Sequence, residues 1–448
     1  MLPVTRRPAW WLLAPAVVLV VLYVQQYVPS LQIIAHREAA VAASALLLIF
    51  SASLVSTTAA LEVGRDRASC GMTEIPVRSK IEVVAARLWP CLVAGTIVQI
   101  SGIFVLLDKA GSAPDRFPVL ITVGLLCALL FHSGIGVFLG TWLRPRFAVP
   151  FALVLSYLWL GFAWSFDFVP VRYLAGLALE GCCSPSETVD VSAVVALIVF
   201  SLVGFVGLVL MADGVGSKKL MPRGNRNWLR LVAGIATLGL GTSLGLFAAR
   251  DVGVNPVVAR PPSDTQCSNS VPEVCLFPTQ LARGDTRHVY ADTFTVLAAR
   301  GMPKVTQVFS ISGEHEPVLS AQGVANVVAA PGQSRAAALE SAASTFAVAA
   351  SNAECGDEVS TDIYGWSEVL KVWSVQAAAL QILDSEELEG IPDTNFLESI
   401  SEPGETDFVQ QWQVLSGFDE QSQNDWAAST YRQLSQCQVP ERLGDGPR

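Results

Sequence analysis

The stretch Val191–Met211 reads VSAVVALIVFSLVGFVGLVLM and contains no Asp, Glu, Lys or Arg. An α-helix rises about 1.5 Å per residue, so this stretch extends about 30 Å, the thickness of the hydrocarbon core of a bilayer. Six more apolar stretches also lack ionisable Asp, Glu, Lys or Arg in their central parts: Trp10–Tyr27, Ala39–Leu61, Leu88–Leu107, Pro118–Leu139, Phe147–Phe166 and Leu231–Ala249. Such residues are penalised at the bilayer centre. The sequence therefore predicts an α-helical polytopic membrane protein with about seven spans.

The composition divides the chain into two parts of opposite charge. The 448 residues are 52% hydrophobic and 15% charged, whereas a soluble protein has about 25% charged residues. Residues 1–250 carry 19 Lys and Arg against 12 Asp and Glu (net +7), and residues 251–448 carry 10 against 27 (net −17). This indicates a membrane domain followed by an acidic soluble domain. It argues against an ordinary cytosolic enzyme, and the acidic half disfavours nucleic-acid binding.

The basic residues of the short loops predict the orientation. With the N-terminus inside, the cytoplasmic segments hold 14 Lys and Arg and the opposite loops hold 4. Cytoplasmic loops carry this excess in most membrane proteins. Seven spans then leave the long C-terminal segment outside a bacterial plasma membrane.

We expect four consecutive regions: a six-span membrane domain (1–212), a basic cytoplasmic loop with the seventh span (213–250), an extended linker (251–265) and an extracytoplasmic soluble domain (266–448). The soluble domain is predicted to be mostly helical α+β. Three-to-four-residue apolar spacing predicts helices in 285–300, around 339–346 with Ser334 as a cap, and in 366–383. Val305–Ser312 and Val324–Ala330 are predicted strands.

The cysteines of the soluble domain indicate disulfides. Cys267, Cys275, Cys355 and Cys437 all fall in the predicted external domain, and disulfides persist in oxidising compartments. Four cysteines allow three pairings, and the sequence does not choose among them. Cys267 with Cys275 is attractive because the two are close in the chain. A metal site is the rival interpretation, but no close CxxC pair exists, so we expect no metal.

No catalytic motif is complete. The run Gly214–Lys219 lacks the glycine-to-Gly-Lys spacing of a phosphate-binding loop, and no G-x-S-x-G elbow occurs. We therefore expect no enzyme activity and no cofactor. His132, in the fourth span, either serves a translocation path or is a neutral imidazole bonded to a neighbouring helix. Two GxxxG pairs, Gly136 with Gly140 and Gly241 with Gly245, predict close helix packing.

One segment after the second span is the most informative. It runs from Ala59 to Arg78 as AALEVGRDRASCGMTEIPVR, and a second segment, Gly140–Pro150, contains Gly-x-x-x-Arg-Pro-Arg before the fifth span. Here the chain resembles the membrane subunits of bacterial ABC-2-type exporters, in which an Arg-Asp-Arg-like stretch, a Gly and a Pro-Val-Arg-like turn follow the second span. The resemblance covers roughly the first 212 residues, six spans, which is the usual number in that family. The seventh span and the external domain are departures from it.

The resemblance implies a permease subunit of an ABC-type export system, energised by a separate ATPase and assembled as a homodimer or heterodimer in the lipid bilayer. Arg65, Asp66, Arg67 and Arg78 are the residues it implies for ATPase coupling. The alternative is a non-transporting membrane protein that displays an external binding or sensory domain. On that view, Arg65, Arg67 and Arg78 only satisfy the positive-inside bias.

Overall fold

The structure is a computed structural model that describes residues 7–28, 33, 35–68, 80–216, 224–282, 284–310, 318–351, 360–388 and 408–443. It divides into two compact units, Met1–Val258 and Ala259–Arg448. We call these the membrane unit and the C-terminal unit and describe each by itself.

The membrane unit is built from helices. In chain order they are α1 (Pro8–Tyr27), α2 (Arg37–Ala43), a 3-10 turn (Ser44–Leu47), α3 (Leu48–Ala68), α4 (Lys80–Ala110), α5 (Val119–Trp142), α6 (Pro145–Ala163), α7 (Pro170–Ala175), a 3-10 helix (Leu177–Gly181), α8 (Val191–Gly216) and α9 (Gly224–Ala248). Two short strands, β1 (Glu187–Val189) and β2 (Val257–Ala259), pair with each other. β2 therefore lies within the segment predicted as an extended linker.

The prediction of seven apolar helices long enough to cross a membrane is confirmed. Among the described residues these helices are Pro8–Tyr27, Arg37–Arg65, Val84–Ala110, Val119–Trp142, Pro145–Ala163, Val191–Asp213 and Trp228–Ala248. The second and fourth are 78% and 72% buried, whereas the first and seventh are each 17% buried. The second and fourth spans therefore form the centre of the bundle, and the first and seventh lie at its periphery.

Two ends of this bundle are distinguished below. At the Arg65 end, α3 and α5 end and α4 and α6 begin. At the Glu38 end, α2, α5 and α8 begin, and α7, the 3-10 helix 177–181 and β1 lie between spans. Because successive spans alternate in direction, the two names identify opposite sides of the bundle.

The C-terminal unit combines a small sheet with helices. The strands β3 (Gln266–Cys267), β4 (Glu273–Leu276), β5 (Gln307–Phe309) and β6 (Val324–Asn326) form one sheet in the order β3-β4-β5-β6. The first pair is antiparallel and the next two are parallel. The helices are α10 (Pro278–Leu281), α11 (Arg287–Ala299), α12 (Arg335–Ser351), α13 (Ser360–Ile382), α14 (Ser385–Leu388), α15 (Phe408–Ser416) and α16 (Glu420–Ser435).

Large aromatic side chains fill the core of the C-terminal unit. Trp366 and Trp373, one face of α13, are each 1% exposed, and Phe294 of α11 contacts Phe346 of α12 edge to face at 5.9 Å. The helices around residues 285–300, 339–346 and 366–383 lie where the spacing predicts them. Ser334 caps α12, since its hydroxyl accepts a hydrogen bond from the Ala337 N–H at 3.1 Å. Within the apolar spacing that predicts a helix over 366–383, Leu380 shares the pattern of Trp366 and Trp373 but is exposed.

Candidate functional site

Arg65 lies near the end of α3 with its side chain exposed. The side chains of Asp66 and Arg67, and Arg78 as a whole, fall outside the described residues. The candidate site is therefore described from Arg65 and from the residues that the fold brings to the same end.

Two glycines of α5 let this helix approach α3 closely. A Cβ at Gly136 would overlap the backbone carbonyl oxygen of Ser56, and a Cβ at Gly140 would lie 2.8 Å from the carbonyl oxygen of Ala60. Both neighbours are backbone atoms, which cannot move aside as a flexible side chain would. The close packing of α3 and α5 therefore depends on glycine at both positions.

The end of α3 also contacts the beginning of α6. A Cβ at Gly64 would lie 3.0 Å from Cγ of Pro145. Arg144 and Arg146, on either side of that proline, are both exposed, and the Arg146 guanidinium lies 4.9 Å from the centre of the Phe147 ring. Proline suits the first turn of a helix because its missing N–H would have no partner there. The described part (59–68) of the segment Ala59–Arg78 thus meets the segment 140–150 at the Arg65 end.

Further contacts hold the remaining helices together at this end. The Nη1 atom of Arg7 donates to the carbonyl oxygen of Ala86 at 3.1 Å and joins the start of α1 to α4. Arg230 of α9 forms an ion pair with Asp213 of α8, with both side chains about one-third exposed. The Arg65 end is therefore basic, and its exposed cations are suited to bind an anionic protein surface or lipid headgroup.

The glycines of α8 and α9 form a second close helix contact. A Cβ at Gly241 would lie 3.0 Å from Val203 Cβ of α8, and one at Gly245 would lie 3.2 Å from Phe200 Cβ of α8. The closest backbone approach lies elsewhere, because a Cβ at Gly234 would be 2.7 Å from the carbonyl oxygen of Gly207. The GxxxG spacing within one helix does not identify this pair, since its members lie on different helices.

His132 is buried in the middle of α5, at 1% exposure. Its Nδ1 has no hydrogen-bond partner within the part of the chain that the structure describes. The imidazole lies edge-on to Phe131, with ring centres 5.5 Å apart. Of the two interpretations left open by the sequence, the described contacts do not supply the neighbouring-helix partner for Nδ1.

The Glu38 end is held by side-chain hydrogen bonds between segments far apart in the chain. One carboxylate oxygen of Glu38 accepts from the Thr188 hydroxyl at 2.7 Å and from the Val189 N–H at 2.9 Å. The Glu38 N–H donates to the carboxylate of Asp115 at 3.1 Å. These bonds tie the start of α2 to β1 and to the loop before α5. Sequence reasoning missed them because no local pattern reports a contact between residues so distant in the chain.

Lys109 and Tyr173 add to this network. The Nζ of Lys109 donates to the carbonyl oxygens of Val24 at 2.6 Å and Val28 at 3.2 Å, and so satisfies the end of α1. The Tyr173 hydroxyl donates to the carbonyl oxygen of Gly253 at 2.5 Å. Burial raises the pKa of Tyr173 to about 12, because the ionised phenolate is disfavoured away from water.

The structure describes three of the four cysteines that were predicted to form disulfides. Cys267 and Cys275 face each other across β3 and β4 and form a disulfide. Cys437 is also disulfide-bonded, while Cys355 lies outside the described residues. In addition, the adjacent Cys182 and Cys183 at the Glu38 end are joined to each other, a pairing that the sequence interpretation did not consider.

No family model matches the chain, and neither the curated proteins nor the solved structures give a match.

Proposed function

We propose that this chain is a permease-like membrane subunit of an ABC-type export system, energised by a separate ATPase that docks at the Arg65 end. The observation that carries the proposal is the meeting of segments 59–68 and 140–150 through Gly64 and Pro145. Residues 59–68 are the described part of the segment Ala59–Arg78, which together with Gly140–Pro150 resembles ABC-2 permeases. The two contacting residues, Gly64 and Pro145, are 81 residues apart in the chain. Their convergence supports one shared docking surface better than two unrelated loops.

The charges of this end suit such a partner. Arg65, Arg144 and Arg146 are exposed there, and complementary charges orient one protein surface on another. On this proposal the Arg65 end faces the cytoplasm, where ATP is available, and the C-terminal unit follows the seventh span on the opposite side.

The energy supply also favours a separate motor. The sequence contains no phosphate-binding loop, and the central parts of the spans contain no Asp or Glu for a carboxylate proton relay. Transport against a gradient then requires energy delivered by contact with another protein. The bundle is the element that would transmit it, since α3 and α5 are packed through glycines from the Arg65 end inward.

The test is co-purification of ATPase activity with the full-length protein from its native membranes. Arg65→Glu with Arg67→Glu, and separately Arg144→Glu with Arg146→Glu, are expected to leave the protein inserted and to remove most of the bound ATPase activity, because each pair reverses two charges at the interface. Arg116→Glu with Arg250→Glu is the matched control. Both arginines are exposed, and both lie at the opposite, Glu38 end. This control should retain the activity.

Two results would contradict the proposal. Full ATPase activity with both Arg65-end variants would show that this surface is not the coupling element. Absence of ATPase activity from the wild-type preparation would favour the non-transporting protein that displays an external binding or sensory domain.

A further inference from the structure

Three polar side chains lie near the middle of the membrane-spanning helices. They belong to Ser53 of α3, His132 of α5 and Ser156 of α6, and each residue is within two residues of the midpoint of its span. The three residues are 7%, 1% and 0% exposed. A polar group buried at this depth is costly unless a hydrogen bond satisfies it. These side chains therefore require a partner.

The structure gives no such partner within the described part of the chain. The atoms concerned are Oγ of Ser53, Oγ of Ser156 and Nδ1 of His132. A buried hydroxyl in a helix commonly donates to the carbonyl oxygen one turn earlier, as the hydroxyl of Thr58 does to Leu54 at 2.7 Å. The hydroxyls of Ser53 and Ser156 do not make this bond, so both remain available to a group outside their own helices.

The helices that carry these side chains contact one another one turn away. The hydroxyl of Ser56 in α3 donates to the carbonyl oxygen of Ala152 in α6 at 3.1 Å. The carbonyl oxygen of the same serine is the atom that a Cβ at Gly136 of α5 would overlap. One residue of α3 thus contacts both α5 and α6, and defines a junction of three helices.

The spacing along each helix brings the polar residues to this junction. Towards the Glu38 end, Ser53 is three residues from the contact residue of α3, and His132 and Ser156 are each four residues from the contact residues of α5 and α6. Residues three or four apart lie on the same face of a helix. At about 1.5 Å per residue, all three are displaced by about 4.5–6 Å along the helix axes. They therefore lie at one depth and face the same junction.

We propose that Ser53, His132 and Ser156 hold a buried water molecule between α3, α5 and α6. A hydroxyl can both donate and accept a hydrogen bond, and Nδ1 of a histidine does one or the other according to its tautomer. The complementary ligand must itself donate and accept, and water is the smallest molecule that does both. Buried waters typically make about three hydrogen bonds to polar groups that otherwise lack a partner. The water joins His132 to both neighbouring helices, which the direct contacts do not do.

The experiment is radiolytic footprinting of the full-length protein in detergent, equilibrated in water enriched in oxygen-18. A short X-ray pulse converts bound water to hydroxyl radicals, which oxidise the adjacent side chains, and mass spectrometry locates the label. Wild type should incorporate oxygen-18 at His132. Trp366, which is also 1% exposed but packs against the ring of Phe408, should stay unmodified. A radical scavenger in the solution should suppress oxidation of the exposed Tyr364 and leave that of His132 unchanged.

A pair of substitutions tests the two hydroxyls. Ser53→Ala with Ser156→Ala should lower the oxidation of His132 by about threefold or more, because a buried water needs two to four polar partners. Ser201→Ala is the matched control, since Ser201 of α8 is also 1% exposed and its hydroxyl also has no partner among the described residues. This control should retain the wild-type oxidation of His132.

Three results would overturn the proposal. The first is absence of oxidation at His132 in wild type, a measurement that needs no variant to fold. The second is oxidation that the scavenger suppresses as strongly as that of Tyr364, because radicals would then reach the imidazole from bulk solvent along a path through the bundle. The third is unchanged oxidation in the variant that lacks both hydroxyls. The site is independent of the ATPase docking surface, so failure of one leaves the other standing.

Discussion

The two ends of the membrane unit are stabilised by different interactions. At the Glu38 end, the side chains of Glu38, Lys109 and Tyr173 form hydrogen bonds to the backbone of other segments. At the Arg65 end, the helices approach through Gly64, Gly136 and Gly140. The first end is held by directional polar contacts that involve its loops. The second is held mainly by close glycine packing, with the Arg7–Ala86 hydrogen bond and the Arg230–Asp213 ion pair beside it.

Under the proposed function, this difference separates a fixed end of the bundle from the end at which a partner docks. Hydrogen bonds from side chains to backbone groups fix the segments that they join. Glycine packing holds the helices without using any side chain, and so leaves the arginines of the Arg65 end exposed. We therefore interpret the Glu38 end as the rigid end and the Arg65 end as the surface for a partner.

The largest expected effect comes from breaking the glycine packing. Gly136→Leu and Gly140→Leu each place a side chain against the backbone of α3. Overpacking of this kind costs about 1–3 kcal/mol and more where backbone must move, so each variant should unfold at a clearly lower temperature than wild type and yield less folded protein. Size-exclusion profiles in detergent measure the amount of folded protein, and thermal unfolding in detergent measures its stability.

The chain offers matched controls for this prediction. A Cβ at Gly161 of α6 or at Gly239 of α9 would meet no atom within 4 Å. Gly161→Leu and Gly239→Leu should therefore change the unfolding free energy by less than about 0.5 kcal/mol. Equal loss of folded protein in both sets would mean that leucine in any span is harmful and that the α3–α5 contact is not special.

The next effect tests the polar Glu38 end. Lys109→Met keeps most of the side-chain length but removes the charged donor to the Val24 and Val28 carbonyl oxygens. A hydrogen bond that involves a charged group contributes about 1.5–3 kcal/mol, so the unfolding midpoint should fall clearly. Arg116→Met, at an exposed position of the same end, should leave the midpoint unchanged. Equal midpoints for wild type and Lys109→Met would show that this network does not stabilise the end.

A smaller effect is expected at Tyr173. Tyr173→Phe removes the hydroxyl that donates to Gly253 and keeps the ring, at a cost of about 0.5–1.5 kcal/mol. The pKa of Tyr173 is raised from 10.0 to about 12 in the folded protein. The unfolded chain therefore releases this proton first, and stability should fall as the pH rises from 10 towards 12. In Tyr173→Phe that decline should be shallower, which denaturation at several alkaline pH values can measure.

The smallest effect concerns the ion pair of the Arg65 end. Asp213 and Arg230 are each about one-third exposed, and ion pairs exposed to this degree contribute about 0–1 kcal/mol. Arg230→Met should therefore shift the unfolding midpoint less than Lys109→Met does. A larger shift would remove the contrast between the two ends, because the Arg65 end would then also depend on a polar contact.

The sequence predicted the elements whose signal is local. Each of the seven apolar stretches corresponds, among the described residues, to a helix long enough to cross a membrane, because length and the absence of charge are sufficient to recognise such helices. Ser334 and the spacing of Trp366 and Trp373 located α12 and α13. The strands β3 and β4 were not predicted. The helices α15 and α16 were not predicted either, and they carry many polar residues.

The candidate site was predictable only in part. Arg65 and the Arg144–Arg146 loop are visible in the sequence as basic segments after apolar stretches. The contact of Gly64 with Pro145 and the hydrogen bonds of Glu38 to Thr188 and Val189 join residues far apart in the chain. Such contacts depend on how the helices pack, which the local pattern of one sequence does not contain.

The account rests on the Arg65 end facing the cytoplasm while the Glu38 end faces outside. Two variants, Arg146→Cys and Asp167→Cys, test this orientation, because both residues are exposed and lie at opposite ends. Intact cells that carry each variant are treated with a membrane-impermeant maleimide. The unsubstituted protein, treated in the same way, gives the background labelling. The account predicts that Asp167→Cys is labelled at once and that Arg146→Cys is labelled only after the membrane is permeabilised. Labelling of Arg146→Cys in intact cells, with Asp167→Cys protected, would contradict the orientation and with it the docking of an ATPase at the Arg65 end.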